Sequence, residues 1–216
     1  MTALLTPPAT VRTLADVLDR LGVGADRVRA NPPPGLATEH DLIEATRTDG
    51  RNYELTEGVL VEKAMGFRES LLAMILGKML LEFVEPRKLG LVTGEQGMMR
   101  LGRGLVRGPD VAFTSWSRLP GGVPDEPIPD LVPNLAIEIL SESNTEREMA
   151  RKLREYFAAG VEAVWLIDPR ARTARVYSGP DAVTTLMVEQ AVDGGTVLPG
   201  FSLPLRELFG HLDQRV

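Results

Sequence analysis

The sequence of 216 residues contains no cysteine and only two histidines, His40 and His211. The absence of cysteine excludes a disulfide framework, a thiolate metal site and a thiol nucleophile. Two histidines are too few for a His-rich zinc site, and we do not expect a catalytic triad built on histidine. Sulfur and histidine chemistry are therefore not where the function of this chain is to be sought.

Long apolar runs are also missing, since none approaches the roughly 18 residues of a transmembrane helix. The first residues, Met1-Thr-Ala-Leu-Leu-Thr-Pro-Pro, lack the basic start and the apolar stretch of a secretory signal. We therefore expect a cytoplasmic protein that does not bind membranes. A reducing compartment also suits a chain without cysteine.

An excess of positive charge is missing as well: the formal net charge is -6 and the isoelectric point is near 5.1. This balance argues against a general nucleic-acid binder, which normally presents a basic face. A local basic patch nevertheless exists, because Arg100, Arg103 and Arg107 lead directly into Asp110. These three arginines are candidate DNA contacts. The alternative is that they only solvate a glycine-rich hairpin.

The composition, 44% hydrophobic and 25% charged, suits one globular domain with a short extension. Residues 1–37 are predicted to be that extension. Apolar residues at helical spacing predict a helix from Thr13 to Leu21, with Thr13 as its N-cap, and Asn31-Pro-Pro-Pro-Gly35 is typical of a linker. Residues 38–216 are predicted to form the main domain.

Hydrophobic periodicity and turn residues predict the elements of the main domain. The helices are expected at 38–46, 67–85 and 145–159, and the strands at 53–62 (a hairpin), 91–100, 105–113, 134–140, 161–168, 173–178 and 183–189. A loop rich in proline and glycine is expected at 117–133. This order of helices and strands predicts a mixed α/β (α+β) sandwich rather than a barrel.

Two acidic residues, Asp110 and Glu138, each lie at the end of an apolar, strand-like run. A carboxylate inside an apolar strand costs several kcal/mol unless it is paired, hydrogen-bonded or bound to a cation. Two neighbouring strands would bring both carboxylates to one point, where a hard divalent cation is their natural counter-charge. The alternatives are a turn aspartate after Gly108-Pro109 and a glutamate on an exposed edge.

Lys152 lies on the helix predicted at 145–159, whose start is indicated by the capping-box pattern of Thr145 and Glu148. It borders the apolar stripe of that helix and not its polar face. Together with two metal-binding carboxylates, a lysine completes the equipment for metal-assisted hydrolysis of a phosphodiester, because it stabilises negative charge on the phosphoryl oxygens. The alternative is an ion pair with Glu148 or Glu155.

Three segments together resemble the Uma-type family of putative restriction endonucleases, which belongs to the PD-(D/E)XK nuclease superfamily. They are 108–113, 137–145 and 152–169, and the hairpin at 53–58 resembles the opening of the family. The resemblance covers about residues 40–210. It implies a restriction-endonuclease-like mixed β-sheet sandwiched by helices, and a Mg²⁺-dependent DNA endonuclease in which Mn²⁺ can substitute.

Carried over residue by residue, the resemblance makes Asp110 and Glu138 the metal-binding acids. It adds the main-chain carbonyl of Ile139 as a further metal ligand. The superfamily pattern has lysine two residues after the second acid, where this chain has Leu140. Lys152 matches the place on the following helix to which the lysine has moved in the family, and it is the candidate catalytic lysine.

Glu69 is a further candidate for the cleft, because superfamily members often add an acid from the first core helix, and Gln96, in Thr93-Gly-Glu-Gln-Gly97, is a candidate to line the same cleft. For Glu69 the alternative is a favourable interaction with the helix dipole.

A homodimer is also an expectation, since two cuts need two sites and the outer strands offer an edge for pairing. Two rival functions stay open: a nuclease-fold binding or assembly module without turnover, and a metal-dependent phosphohydrolase of smaller substrates.

Overall fold

The computed structural model describes residues 13–63 and 65–213. The helices are α1 (Leu14–Leu21), α2 (Glu39–Asp49), α3 (Phe67–Val84), α4 (Glu146–Ala159) and α5 (Leu205–Gly210). The first six strands are β1 (Tyr53–Thr56), β2 (Val59–Glu62), β3 (Gly90–Gly94), β4 (Met99–Gly102), β5 (Leu105–Arg107) and β6 (Val111–Ser115). The others are β7 (Leu135–Ile139), β8 (Ala163–Asp168), β9 (Thr173–Tyr177), β10 (Val183–Leu186), β11 (Ala191–Asp193) and β12 (Ser202–Pro204). Within these described ranges, no helix has the length and apolar character needed to cross a membrane.

The strands form a six-stranded sheet, a four-stranded sheet and a small two-stranded sheet. The six-stranded sheet has the order β10-β9-β8-β7-β6-β3, and the four-stranded sheet has the order β2-β1-β5-β4. In the larger sheet β7 and β8 run parallel, joined through α4, while the other neighbouring pairs are antiparallel. The sheet is therefore mixed, as predicted.

Helices cover both faces of the six-stranded sheet, because successive residues of a strand point to opposite faces. On one face, Leu135, Ile137 and Ile139 pack in one cluster with residues of α3 and α5. Ala136 packs on the other side, in a cluster with Met149 and Tyr156 of α4. The predicted fold class, a mixed sheet sandwiched by helices, is confirmed.

The hairpin predicted at 53–62 is formed by β1 and β2. Glu57 and Gly58, at φ 51° and 74°, make the turn between them. Positive φ at both central residues suits the right-handed twist of the strands, and glycine adopts it without strain. The predicted turn position is therefore correct.

The strands predicted at 91–100 and 105–113 are each divided into two, so their predicted extents are wrong. Residues 91–100 divide into β3 and β4, which lie in different sheets. A turn separates them, closed by a hydrogen bond of 2.9 Å from Gly97 N to Gly94 O. Residues 105–113 divide into β5 and β6 at Gly108-Pro109, where proline provides no N–H for pairing.

The described part of the predicted extension, residues 13–37, packs against the main domain. Helix α1 is capped by Thr13, as predicted, and ends at Gly22 in the left-handed conformation. Val17 and Leu21 lie in one cluster with Val59 and Val61 of β2. Residues 1–12 of the predicted extension lie outside the described residues.

A buried ion pair fastens this segment to α4. Arg27 donates to both carboxylate oxygens of Glu148, at 2.7 and 2.9 Å, and their side chains are only 6% and 1% exposed. Arg27 also donates to the carbonyl oxygens of Glu62, at 2.9 Å, and Ser143, at 3.1 Å. The segment is thus joined to three parts of the main domain through one guanidinium.

Candidate active site

Asp110 and Glu138 meet at one end of the β6–β7 pair. Val111 is registered with Ile137, and continuing that register by one residue sets Asp110 opposite Glu138. The amide of Ile139 donates to Asp110 Oδ2 at 2.6 Å. Both acids are buried, at 3% and 4% exposure. The structure therefore brings the two predicted acids together, and neither is a solvated turn or edge residue.

Helix α4 supplies two polar groups to Glu138, because Glu138 shares the face of β7 that α4 covers. Lys152 Nζ lies 3.2 Å from Glu138 Oε1, and Tyr156 donates its hydroxyl to the same oxygen at 2.5 Å. Lys152 is 2% exposed, so the expectation that it borders the buried face is met. The alternative partners proposed from the sequence, Glu148 and Glu155, pair instead with arginines.

Glu54 of β1 is part of the same cluster, although the sequence did not single it out. Its Oε2 lies 3.1 Å from Lys152 Nζ and 2.6 Å from a guanidinium nitrogen of Arg107, and the amide of Gly108 donates to its Oε1 at 3.3 Å. Arg107 also binds Glu155 of α4. An acid within the buried strand Tyr53–Thr56 was the available indication, of the same kind that identified Glu138.

Lys63, the first residue after β2, is a second member that sequence reasoning missed. Its ammonium lies 2.7 Å from Asp110 Oδ1 and 3.4 Å from Glu138 Oε2, and it donates to the carbonyl of Gly108. The contact of 2.7 Å with Asp110 Oδ1 is a buried ion pair, and the described structure records no other donor to that oxygen. Nothing in the local sequence distinguishes Lys63 from a solvated lysine.

The cluster is electrostatically balanced, with three acids (Glu54, Asp110 and Glu138) against three bases (Lys63, Lys152 and Arg107). Burial by itself raises the pKa of Glu54, but Lys152, Arg107 and Lys63 outweigh it and hold that pKa well below its usual range. In the same way Lys152 and Lys63 lower the pKa of Glu138 against the effect of burial.

Asp110 differs from the other two acids. Burial raises the pKa of Asp110, and the charge of Glu138 adds to that rise, while Lys63 opposes it. Burial also lowers the pKa of Lys63, but Asp110, Glu138 and Glu54 more than compensate, so its pKa is raised. Lys63 therefore stays an ammonium at neutral pH. Burial and Glu138 raise the pKa of Tyr156 well above its usual value, which keeps it a hydroxyl donor.

The donor chemistry at Asp110 and Glu138 fits a hard divalent cation. Carboxylate oxygens are preferred ligands of Mg²⁺, and the only partner that the described structure records for Asp110 Oδ1 is the ammonium of Lys63. Within residues 13–63 and 65–213, no group of three or more His, Cys, Asp or Glu is placed to hold a metal ion. The fit is thus to an ion with two carboxylate side chains, in the place where the ammonium of Lys63 now lies.

Glu69 and Gln96 do not contact the acid pair, although Glu69 lines the larger of the two cavities described below. Glu69, in the first turn of α3, turns its carboxylate back toward Gly66 at the helix start, a position that suits the helix dipole. Gln96 is exposed and donates weakly to Asn52 at 3.4 Å. Neither residue makes a contact with Asp110 or Glu138 that the described structure records.

The three arginines predicted as DNA contacts differ in their surroundings. Arg107 is 1% exposed and neutralises Glu54 and Glu155, so its prediction as a DNA contact is wrong. Arg100 forms a two-point pair with Glu39 at 2.7 and 2.6 Å. Arg103 is exposed in the turn between β4 and β5. The sequence neighbours thus do not form one basic surface.

Two of the cavities beside α3 bear on the candidate site. The larger, about 890 Å³, is lined by the start of α3, by Ser141 and Ser143, and by Arg68, Arg170 and Arg172. The smaller, about 420 Å³, lies between α3 and β3 and reaches Asp110. Met65 lines both. Asp110 and Glu138 do not line the larger cavity. Its lining does include Ser141, two residues after Ile139 in the chain, and Met65, two residues after Lys63.

Comparison with known proteins adds two similarities. Residues 38–206 match the model of the Uma2 family, described as putative restriction endonucleases. The fold is similar to the crystal structure of a putative nuclease from Anabaena variabilis ATCC 29413, with a TM-score of 0.68 and 23% identity, over 76% of this chain and 92% of that chain. No match was found among curated proteins.

Proposed function

The chain belongs to the Uma2 family of putative restriction endonucleases, and from that premise we propose that it is a Mg²⁺-dependent DNA endonuclease of the PD-(D/E)XK type. The observation that best supports the proposal is the meeting of Asp110 and Glu138 at one point, beside the buried ammonium groups of Lys63 and Lys152. Two carboxylates so close together and so deeply buried require positive charge.

The proposed metal ligands are the side chains of Asp110 and Glu138, with the main-chain carbonyl of Ile139 as a third. Mg²⁺ at this place would polarise the phosphate and lower the pKa of a bound water, and Mn²⁺ is expected to substitute. The residues of the chain prepare the acids for that role. The amide of Ile139 fixes Asp110 Oδ2 and leaves Oδ1 to its contact with Lys63.

Lys152 and Tyr156 orient Glu138. Both bind Oε1, which leaves Oε2 for another partner, and Lys152 helps to keep the carboxylate ionised at neutral pH. Because Lys152 Nζ already contacts Glu54 and Glu138, we propose that it acts through Glu138 as a positioning residue. A direct contact with phosphoryl oxygens, as expected from the resemblance, requires one of these ion pairs to open.

We propose that the DNA strand binds in the larger cavity. Arg68, Arg170 and Arg172 line it, and arginine is well suited to phosphate. The pairs of Arg170 with Glu142 and of Arg172 with Asp213 lie at the surface, where ion pairs are weak and exchange readily. This surface replaces the one proposed from Arg100, Arg103 and Arg107.

The proposal is tested by incubating purified protein with supercoiled plasmid and Mg²⁺ or Mn²⁺. We expect nicking or linearisation that EDTA abolishes and that Glu138→Ala removes. Glu82→Ala is the matched control, because the Glu82 side chain is 63% exposed on α3. If the wild type leaves the plasmid intact both with Mg²⁺ and with Mn²⁺, the endonuclease proposal is refuted. Cleavage of small phosphoesters but not of DNA would identify a phosphohydrolase.

The balanced charges of the cluster favour a second candidate, a nuclease-fold binding module without turnover. Three acids and three bases already neutralise each other, so the buried carboxylates have their counter-charges without a metal ion. Retention of DNA in a gel-shift assay, with no cleavage in either metal, would support this candidate.

A homodimer is also proposed, because cutting both strands of a duplex needs two sites. The strands β3 and β10 lie at the edges of the six-stranded sheet, and an edge strand can pair with another copy. Sedimentation at several protein concentrations tests this, and a monomer throughout would refute it.

A further inference from the structure

We propose that Lys63 is a displaceable counter-cation: its ammonium occupies the place between Asp110 and Glu138 that the divalent cation takes, and cation binding moves this ammonium into the cleft. The inference rests on the metal dependence proposed above. It assigns a role to a residue that the sequence pattern of the nuclease site does not include.

The geometry places one positive group on two carboxylates at once. Lys63 Nζ contacts Asp110 Oδ1 at 2.7 Å and Glu138 Oε2 at 3.4 Å. These are the two oxygens that the fixed hydrogen bonds of the site leave free, since Ile139 holds Asp110 Oδ2 and α4 holds Glu138 Oε1. An ion and the ammonium cannot both take them, so binding of one excludes the other.

Charge leads to the same conclusion. The buried acids and bases balance without a metal ion, so a divalent cation would leave the cluster with two excess positive charges in a region of low dielectric. Release of one ammonium removes half of that excess. Lys152 and Arg107 are not suited to leave, because each also pairs with Glu54, inside the protein.

The chain around Lys63 permits a movement of the side chain alone. The main chain of Lys63 is held by a hydrogen bond of 2.8 Å from its amide to Asn52 O. Two residues later Met65 lines both cavities, so open space begins beside this segment. A lysine side chain has four flexible methylene groups and can turn into that space while the main chain stays fixed.

The first test measures Mn²⁺ affinity by calorimetry. Lys63→Met keeps the length of the side chain and removes the competing charge, and we expect at least about a tenfold lower dissociation constant than in the wild type. Lys88→Met is the matched control, since Lys88 is exposed in the turn after α3 and lines neither cavity, and it should not change the affinity. Equal or weaker Mn²⁺ binding by folded Lys63→Met would overturn the inference.

A second test uses the wild-type chain, so it remains decisive if Lys63→Met does not fold. Lysines are acylated with an amine-selective reagent, and modification is quantified by mass spectrometry with and without saturating Mg²⁺. We expect Lys63 to be protected without the ion and modified with it, while the exposed Lys88 is modified equally in both. Protection of Lys63 that persists when Mg²⁺ is bound would refute displacement.

The outcomes separate this inference from the proposed function. If Lys63→Met and wild type bind Mn²⁺ equally and the wild type cuts DNA, displacement is wrong and the nuclease stands. If Lys63→Met binds Mn²⁺ more tightly but the wild type cuts no DNA, displacement stands and the nuclease is wrong. If no variant binds Mn²⁺, both are refuted.

Discussion

The buried pair of Arg27 and Glu148 offers a direct test of how the segment before residue 38 is held. Replacing Arg27 by methionine keeps much of the buried volume but leaves the carboxylate of Glu148, 1% exposed, without its main partner. Removing one member of a buried ion pair typically costs roughly 3–5 kcal/mol. The carbonyls of Glu62 and Ser143 would each lose a donor as well. We therefore expect the free energy of unfolding to fall by about 4 kcal/mol.

The assay is urea denaturation followed by circular dichroism. Arg147→Met is the matched control, because Arg147 joins α4 to α1 through Asp19 in an exposed pair, with side chains 57% and 71% exposed. That control should lose about 1 kcal/mol or less. Adding Glu148→Gln to Arg27→Met should recover stability, because no buried charge is then left alone. A loss below about 1 kcal/mol for Arg27→Met would show that Glu148 finds water or another partner, and that the reasoning is wrong.

Two further predictions concern pH and salt. The pKa of Glu54 is lower in the folded protein than in the unfolded chain. The stability that ionised Glu54 contributes is therefore present above the unfolded-state pKa and is lost as the pH falls. The difference in unfolding free energy between wild type and Glu54→Gln should narrow from about pH 6 toward about pH 3. A constant difference across that range, measured by urea denaturation, would contradict this. Replacing Arg170 and Arg172 together by alanine should weaken DNA binding and reduce the slope of log affinity against log salt by about 2. Arg103→Ala should change neither, and the opposite pattern would place the DNA on the β4–β5 turn.

The fold was predictable where a long periodic segment has clear ends. Helix α4 was found from its Thr145 cap and its Gly160 stop, both present in the structure. Only half of the predicted capping box forms, because Glu148 turns to Arg27 and not to the helix start. The ion pair with Arg27 replaces the local contact of the capping box. Arg27 lies in the segment before residue 38, and the sequence did not indicate that this segment packs against α4.

The short elements were the ones missed. β11 and β12 have three residues each and pair only with each other, and α5 has six residues, too few for a periodic pattern. The division of residues 91–100 between two sheets was missed for a similar reason. Apolar residues stand at both ends of this segment, and only the turn between Gly94 and Gly97 indicates that the two halves belong to different sheets.

At the candidate site, Glu138 was identified from its unusual local setting, whereas Glu54, an acid in a similar setting within β1, was missed. Glu138 was recognisable as the only polar side chain within an apolar strand, and its buried position follows. Lys63 has no such setting, since its role arises from Asp110 and Glu138, which are distant in sequence. Arg107 was misread because a basic residue in a glycine-rich region is ordinarily solvated, whereas register places it opposite Glu54.

The balanced cluster also restricts how sequences of this kind can diverge. A change at Glu54 alone leaves Arg107 and Lys152 with an uncompensated buried charge, and a change at Arg107 alone does the same to Glu54. Substitutions that remove both charges together avoid that cost. We therefore expect residues equivalent to Glu54 and Arg107 to be retained or lost as a pair among homologues, and sequences that keep only one of them to carry a new compensating charge nearby.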